Sequence, residues 1–312
     1  MRVAIIIVNW NGKRDTLQCL QSLCEESYRD KEIIIVDNGS TDGSVEAIKK
    51  TYPNCTVIAE PKNIGFAAGN NKGIKQALDR GADAVILLNN DTTVAPNLIS
   101  SFLSTASDYP SAILGAKIYQ MHNPTALDHL GGNWNNATGN FDLIGKGESA
   151  LHYTVSIPMD YACGCSMFIP SSILRCVGLL DGSYFLYWED SDFCFRAKRL
   201  GYETRLCPHA AVWHIGSSSM TTHSIQTIYF WWRNRLHWID KNLNRSEKIR
   251  LWRKILCKEI FRTYKLYLLH GIQWAVYRKY QVRNDIYARR RSRLLHYSAA
   301  CRGIYHYLTR KF

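Results

Sequence analysis

The chain of 312 residues contains no Cys-x-x-Cys pair; its ten cysteines are scattered, with one close pair at Cys163 and Cys165. A zinc ribbon or finger needs a third and fourth ligand at matching spacing, and none is present, so that pair reads as structural. Cys19, Cys194 and Cys257 lie in apolar runs, where a free thiol behaves as a small hydrophobe. The expectation is a reduced, cytoplasmic protein. No window reaches about 18 uncharged apolar residues, which excludes a transmembrane helix. The opening Met1-Arg2-Val3-Ala4-Ile5 is too short for a signal peptide and carries no cleavage site. Neither the GxGxxG nor the P-loop spacing occurs in the glycine-rich stretch after Pro61, and no internal repeat is visible.

Charge is present but unevenly placed. Residues 225–312 hold 21 Lys and Arg against 4 Asp and Glu, a net +17, whereas residues 1–224 carry a net −4. A mildly acidic body therefore precedes a strongly basic segment, which implies an anionic partner surface. The length suits one large α/β domain plus an appendage. The expected division is 1–224 and 225–312.

Val3 to Val8 is a continuous apolar run, fit for a central strand buried on both faces. Asn9-Trp10-Asn11-Gly12 breaks it, and Asp15 to Leu23 follows with helical spacing at Leu17, Leu20 and Leu23. Ile33 to Val36 is a second strand, ending in Asp37-Asn38-Gly39-Ser40, with a helix around Val45 to Lys50. Thr56 to Ala59 leads into Asn63-Ile64-Gly65-Phe66, where glycine permits close backbone approach. Ala84 to Leu88 is a fourth strand that discharges into Asn89-Asn90-Asp91, and Pro96 opens the next helix. Ile113 to Ile118 reads as a strand and 122–150, rich in Asn and Gly, as loops. Val155 to Met159 and Met167 to Pro170 flank the cysteine pair. Tyr184 to Trp188 runs into Glu189, Asp190 and Asp192, with a helix starting near Phe193 and closing at Gly201. Ala210 to Trp213 is a strand ending in His214. From Ile225 onward, Trp, Tyr, Lys and Arg interleave in amphipathic helices. There Lys258, Arg262 and Lys265 share one stripe, and Leu256, Ile260, Tyr264 and Leu268 another.

Alternating strands and helices of this kind make an α/β fold, and ligands bind at the carboxyl ends of its strands. Asp37, Asn38, Lys62, Asn63 and Asp91 all fall at such ends. Asp37 and Asn38 suit a nucleobase or ribose, and Asp91 a hard cation such as Mg2+ or Mn2+ shared with phosphate oxygens. His214 adds a nitrogen ligand, which tilts the preference toward Mn2+. Each has a bland reading beside it. A lone Asp after a strand is more often a turn residue or helix cap. Three acids at a helix start are common caps, and a lone His is more often structural.

The ordered series IIIVNWNG, IIIVDNGSTDGS, NIGFAAGNN, LLNNDTTV, FLYWEDSDFCFRAKRLGY and VWHIGSSS resembles the inverting glycosyltransferase family 2, and more narrowly its rhamnosyltransferase-like and polysaccharide-assembly members. The resemblance spans residues 3–219. It implies a GT-A type fold, Rossmann-like with a mixed, mostly parallel sheet flanked by helices, followed by the basic amphipathic helical segment. It also implies a nucleotide-sugar donor and a divalent metal under the donor diphosphate. Asp37 matches the base- and ribose-binding acid, Asp91 the last acid of the DXD motif, Asp190 the general base and His214 the metal-side histidine. Asn9, Asn38, Asn63 and Asn90 join the nucleotide-sugar contacts; Trp188, Glu189 and Asp192 join the acceptor side. Asn89 and Asn38 depart from the pattern, since many relatives carry acids there. Asn89 removes a charge from the metal site and leaves Asp91 and His214 as its main protein ligands.

This chemistry is coherent by itself. A cation neutralises charge on a departing nucleoside diphosphate, and a carboxylate takes the proton of the acceptor hydroxyl. The activity that the resemblance implies is metal-dependent, inverting transfer of a sugar from a UDP- or dTDP-sugar, dTDP-rhamnose among them, to a hydroxyl of a cell-surface glycan precursor carried on a polyprenyl diphosphate. The contrasting alternative is a catalytically silent nucleotide-sugar or nucleic-acid binding module. For the basic segment a solvated face, nucleic-acid binding and docking on an anionic membrane all remain open. Membrane docking ranks first and nucleic acid behind it, because lipid-linked acceptors fit the resembled family; the expected location is the inner face of the cell membrane.

Overall fold

The structure, a computed structural model, describes residues 1–216, 225–279 and 284–311. Ser217 to Ser219 of the VWHIGSSS stretch and the expected boundary at 224 lie outside the described residues. The chain divides into two units, Met1–Trp134 with Phe141–Ser219, and Asn135–Asn140 with Met220–Phe312.

The first unit opens with β1 (Val3–Asn9), α1 (Lys13–Glu25), β2 (Lys31–Asp37), α2 (Ser44–Thr51), β3 (Thr56–Ala59), α3 (Phe66–Asp79) and β4 (Ala84–Asn89). Then come β5 (Thr92–Val94), α4 (Leu98–Asp108), β6 (Ala112–Gln120), β7 (Asn123–His129), β8 (Gly132–Asn135) and β9 (Asn140–Leu143). β10 (Pro158–Met159), β11 (Ser166–Pro170), α5 (Ser171–Val177), α6 (Glu189–Arg199) and β12 (Glu203–His214) complete it. One sheet of ten strands has the order β10-β12-β6-β11-β4-β1-β2-β3, with β5 on β12 and β7 on β6. β1, β2, β3, β4, β6 and β12 run in one direction, and β11 is inserted antiparallel between β4 and β6.

Val3 to Ile7 are all 0 % exposed, as a strand covered on both faces requires. Val3, Ile5 and Ile7 pack with Leu20, Leu23 and Phe102 from α1 and α4. Ala4 and Ile6 point the other way, against Ala67, Ile74, Phe193 and Ala197 from α3 and α6. Each such isoleucine contributes about 2 kcal/mol by leaving water. Two packed layers thus hold the strand tips rigid, and that rigidity is what a site built on them needs.

Several local expectations are corrected. The 122–150 region holds three strands and a 3-10 turn at Ala150–His152 rather than only loops. α4 starts at Leu98, two residues past Pro96, and α6 starts at Glu189 rather than near Phe193. β12 runs twelve residues, its middle absorbed by a register shift between Leu206 and Ala211.

The second unit is helical: α7 (Ile225–Asn242), α8 (Arg245–Leu251), a π-turn at Trp252–Leu256, α9 (Cys257–Lys279) and α10 (Asn284–Leu308). A capping box starts α8, where Asn244 accepts from the Glu247 amide and Glu247 accepts from the Asn244 amide, both at 3.0 Å. Its aromatic and basic residues are not all surface groups. Trp238 and Arg235 are each 0 % exposed. The Arg235 guanidinium donates to the carbonyls of Gly139 and Thr138, both at 2.8 Å, and pairs with Glu259 at 2.6 Å. Leu256 is likewise buried, whereas Lys258, Arg262, Lys265 and Leu268 are exposed.

Candidate active site

Parallel register places the functional candidates on one edge. Asn9 at the end of β1 is level with Asp37 at the end of β2, and Val8 is level with Asn89. On the far side of β11, His214 at the end of β12 pairs with Gln120 of β6 and Thr92 of β5. Because β11 runs backwards, the loop that enters it, Cys163-Gly164-Cys165, arrives at this same edge.

Asn9 organises the first half of the site. Its amide donates to Asp37 Oδ2 at 2.6 Å and to Ser40 Oγ at 3.1 Å. Its oxygen accepts from Thr16 at 2.8 Å and from Asn90 at 3.3 Å. Asp37 is 1 % exposed, and its other oxygen accepts the Ser40 amide at 2.8 Å. The turn character considered for Asp37 is therefore real, and the same carboxylate also faces Asn9. Asn38 donates to Gly65 O at 3.0 Å and its amide nitrogen sits 3.4 Å from Asn63 Oδ1. Its own side-chain oxygen is buried without a protein partner, which marks an acceptor a ligand donor would satisfy.

Two glycines let these loops close. Gly39 has φ +72°, and a Cβ there would lie 2.7 Å from the Lys62 backbone. Gly65 has φ +90°, and a Cβ there would lie 2.6 Å from Phe185 O. The same carbonyl accepts the Phe66 amide at 2.7 Å. The close approach expected of the glycines is thus used to bring the chain before α6 against the start of α3.

The second half is an acid–imidazole–acid row. His214 Nε2 is 3.2 Å from Asp91 Oδ1 and 3.3 Å from the Asn89 amide nitrogen. Asp128 Oδ2 lies 3.6 Å from Nδ1, an ion-pair rather than a hydrogen-bond distance. Burial alone would lower the imidazole, but Asp128 and Asp91 outweigh it and push His214 up to about 9. His214 in turn holds the Asp128 carboxyl below its usual value. Asp128 escaped the sequence reading because it sits in the irregular stretch, brought in by the β6–β7 ladder.

An oxygen and, once a metal displaces its proton, an imidazole nitrogen converging at a sheet edge fit a sparsely held divalent cation, whose remaining ligands come from water or phosphate. Among the described residues no group of three His, Cys, Asp or Glu makes a closed cage. Among the described residues, Asp91 and His214 are the groups that converge there. Burial raises the Cys163 and Cys165 thiols well above their usual range, which leaves them protonated and supports their structural reading.

Asp190 reaches the edge through the cysteine loop. The Gly164 amide donates to its Oδ2 at 3.1 Å and the Ser191 amide to its Oδ1 at 2.7 Å. Cys165 O accepts the Asn89 amide at 3.0 Å. Asp190, the loop and the strand that leads to Asp91 therefore form one bonded chain on one side of the sheet. Burial raises the Asp190 carboxyl, and the two amide donors pull it back.

Its neighbours separate in role. Glu189 is 4 % exposed with one oxygen unpartnered. Burial first, then Asp190 and Asp192, lift it well above the usual carboxylate range. Asp192 is 0 % exposed and pairs with Arg196 at 2.8 Å. That arginine also donates to Val177 O and Leu179 O. Through Arg196, Asp192 anchors the 177–179 turn to α6, which is a supporting arrangement. Trp188 is 8 % exposed, its ring 5.6 Å from Phe141, and both it and Tyr187 adopt left-handed backbone at φ 78° and 69°. That conformation is costly for bulky residues.

Residues 4–175 match the family model Glycosyl transferase family 2. The chain is 27 % identical to an N-acetylglucosaminyl-diphospho-decaprenol L-rhamnosyltransferase of Mycobacterium tuberculosis, over 75 % of this chain and 87 % of that protein. It is 25 % identical to the low-salt glycan biosynthesis hexosyltransferase Agl10 of Haloferax volcanii, over 75 % of this chain and 74 % of that one. In structure it is similar to a mannosyltransferase of Pyrobaculum calidifontis in complex with GDP-Man and Mn2+. That likeness has a TM-score of 0.59 at 12 % identity, over 100 % of this chain and 88 % of that one, and it extends to the GT-A-like sheet. Strand-tip geometry, family match and relatives agree: the chain belongs to glycosyltransferase family 2 and is an inverting glycosyltransferase of the hexosyl-transferring class.

Proposed function

We propose that the enzyme moves a sugar from a UDP- or dTDP-sugar, dTDP-rhamnose foremost, to a hydroxyl of a cell-surface glycan precursor carried on a polyprenyl diphosphate. The observation that carries this reading is Asp190 bonded to Gly164 on the same sheet edge as Asp37, Asp91 and His214. The activity of the mycobacterial relative supports the rhamnosyl donor and the lipid-diphosphate acceptor.

In this reading Asp37, Asn9, Asn38 and Asn63 bind the nucleoside, with the unpartnered Asn38 oxygen as an acceptor for a base or ribose donor. Asn90 braces Asn9 and Thr16 beneath the diphosphate. Asp91 and His214 would hold Mg2+ or Mn2+, and Asp128 fixes the imidazole from its other nitrogen. Such a cation, when bound, neutralises the charge gathering on the departing diphosphate. Asp190 accepts the proton of the acceptor hydroxyl as that oxygen attacks the anomeric carbon. Its position is set by the Gly164 and Ser191 amides, and its raised affinity for a proton makes it a stronger base than a free carboxylate. Attack from the side opposite the leaving group inverts the anomeric centre. Trp188 lines the acceptor side, and Glu189, its carboxyl raised by burial and then by Asp190, stands next to the base in sequence. The basic helices 225–312 dock the enzyme on the inner, anionic face of the cell membrane.

The test is transfer from dTDP-rhamnose and a UDP-sugar panel to a polyprenyl-diphosphate-linked acceptor, with and without Mn2+. Asp190→Asn should lower kcat by roughly 10²–10⁴-fold while donor affinity is kept. Donor binding without any turnover in the unaltered enzyme would refute the assignment.

A further inference from the structure

Helix α9 carries an apolar face that its own unit leaves uncovered. Phe261 is 71 % exposed, Leu268 62 %, Ile272 64 %, Val276 48 % and Leu269 43 %. At about 100° per residue these five fall within an arc of about 100°, along about 22 Å of helix. The opposite side is where α9 packs: Thr263 is 7 % exposed and His270 8 %. Exposed Lys258 and Lys265 fall within the arc, with exposed Arg262 on its flank.

A contiguous stripe of this size on a soluble unit marks an interaction surface. Charge decides the partner. The stripe is laced with three basic side chains in a segment of net +17. Two copies of α9 laid face to face would bury those like charges together, at a cost that apolar contact would have to overcome. An anionic bilayer meets both parts at once, since lysine and arginine stems lie along apolar surface while their heads reach lipid phosphates.

We infer that this face of α9 is a monotopic insertion surface: Phe261, Leu268, Leu269, Ile272 and Val276 enter the headgroup–acyl boundary of an anionic membrane, and Lys258, Arg262 and Lys265 pair with lipid phosphates. This rests on the membrane-docking part of the proposed function and narrows it from a charged segment to one helix face held by apolar contact. It is not a span, because among the described residues no helix is long and apolar enough to cross a membrane.

The test is flotation of the full chain with vesicles of phosphatidylcholine containing phosphatidylglycerol, at 0.1 and 0.5 M NaCl. The unaltered chain should float, with a fraction persisting at high salt, because apolar insertion is not screened. Phe261→Ser/Ile272→Ser should lower the partition coefficient at least roughly tenfold at both salts. Lys258→Gln/Arg262→Gln/Lys265→Gln should lower it at low salt and leave the salt-resistant fraction. Donor hydrolysis, measured without vesicles, should be equal in all three proteins. It also separates the two ideas, since loss of hydrolysis throughout would strike the glycosyltransferase reading alone. Three results would overturn the inference: no flotation of the unaltered chain, equal flotation of the serine variant, or a dimer in sedimentation that the serine variant dissociates.

Discussion

Glu189→Gln tests whether the acid beside the base is neutral. Glu189 is 4 % exposed, has an oxygen without a partner, and feels the carboxylates of Asp190 and Asp192, with Tyr184 and the Cys163 thiol nearby. Burial, then those two carboxylates, raise its pKa well above 4.5. The folded state therefore binds a proton that the unfolded chain releases. Stability is fully present below the unfolded value and falls as pH rises toward the folded one, by about 1.4 kcal/mol per pH unit. At pH 7 the loss is at most about 3.5 kcal/mol. Glutamine keeps the neutral shape and removes the titration, so the variant should gain on the parent as pH rises. The assay is the urea midpoint of both proteins at pH 5, 6 and 7, converted with a shared slope. A stability difference that does not change with pH, or a variant that falls behind toward pH 7, would refute the neutral-acid assignment. The acid limb of kcat/KM gives an independent check. It should stay in place in the variant, because no charge next to Asp190 has been removed.

Other expected outcomes follow from the same geometry. Asp128→Asn should weaken Mn2+ binding roughly 10- to 100-fold, read by the signal of free Mn2+ in electron paramagnetic resonance, while nucleotide affinity without metal is unchanged. Gly65→Ala should cost more than about 1 kcal/mol, because its Cβ would meet Phe185 O at 2.6 Å on a left-handed backbone; calorimetry reads it as a lower Tm. Arg235→Ala strands the carbonyls of Thr138 and Gly139 and should cost about 3 kcal/mol, seen as a lower urea midpoint.

The strands that carry the site were legible because they are buried on both faces. Val3 to Ile7 and Ala84 to Leu88 are unbroken apolar runs, and each ends where its first polar residue reaches the sheet edge. Asp128 was not legible. β7 is a partly exposed edge strand whose register on β6 slips twice, and no alternation in Asn123 to His129 announces it. For the Asp192 ion pair a signal did exist: Arg196 follows at i+4, the spacing at which acid and base meet on one helix face. In the C-terminal helices, composition alone did not say which aromatics and arginines are buried. The helical period separates them, with Ile228, Arg235, Trp238, Ile239 and Asn242 turned inward along α7.

Tyr187 and Trp188 have a consequence for selection experiments. Two successive large side chains on left-handed backbone each raise the energy of the native state by about 1–2 kcal/mol. Libraries screened only for heat resistance should accumulate glycine or asparagine at these two positions. Libraries screened for turnover should hold the indole at 188, and the divergence between the two outcomes would measure how much sturdiness the protein forgoes to aim one ring.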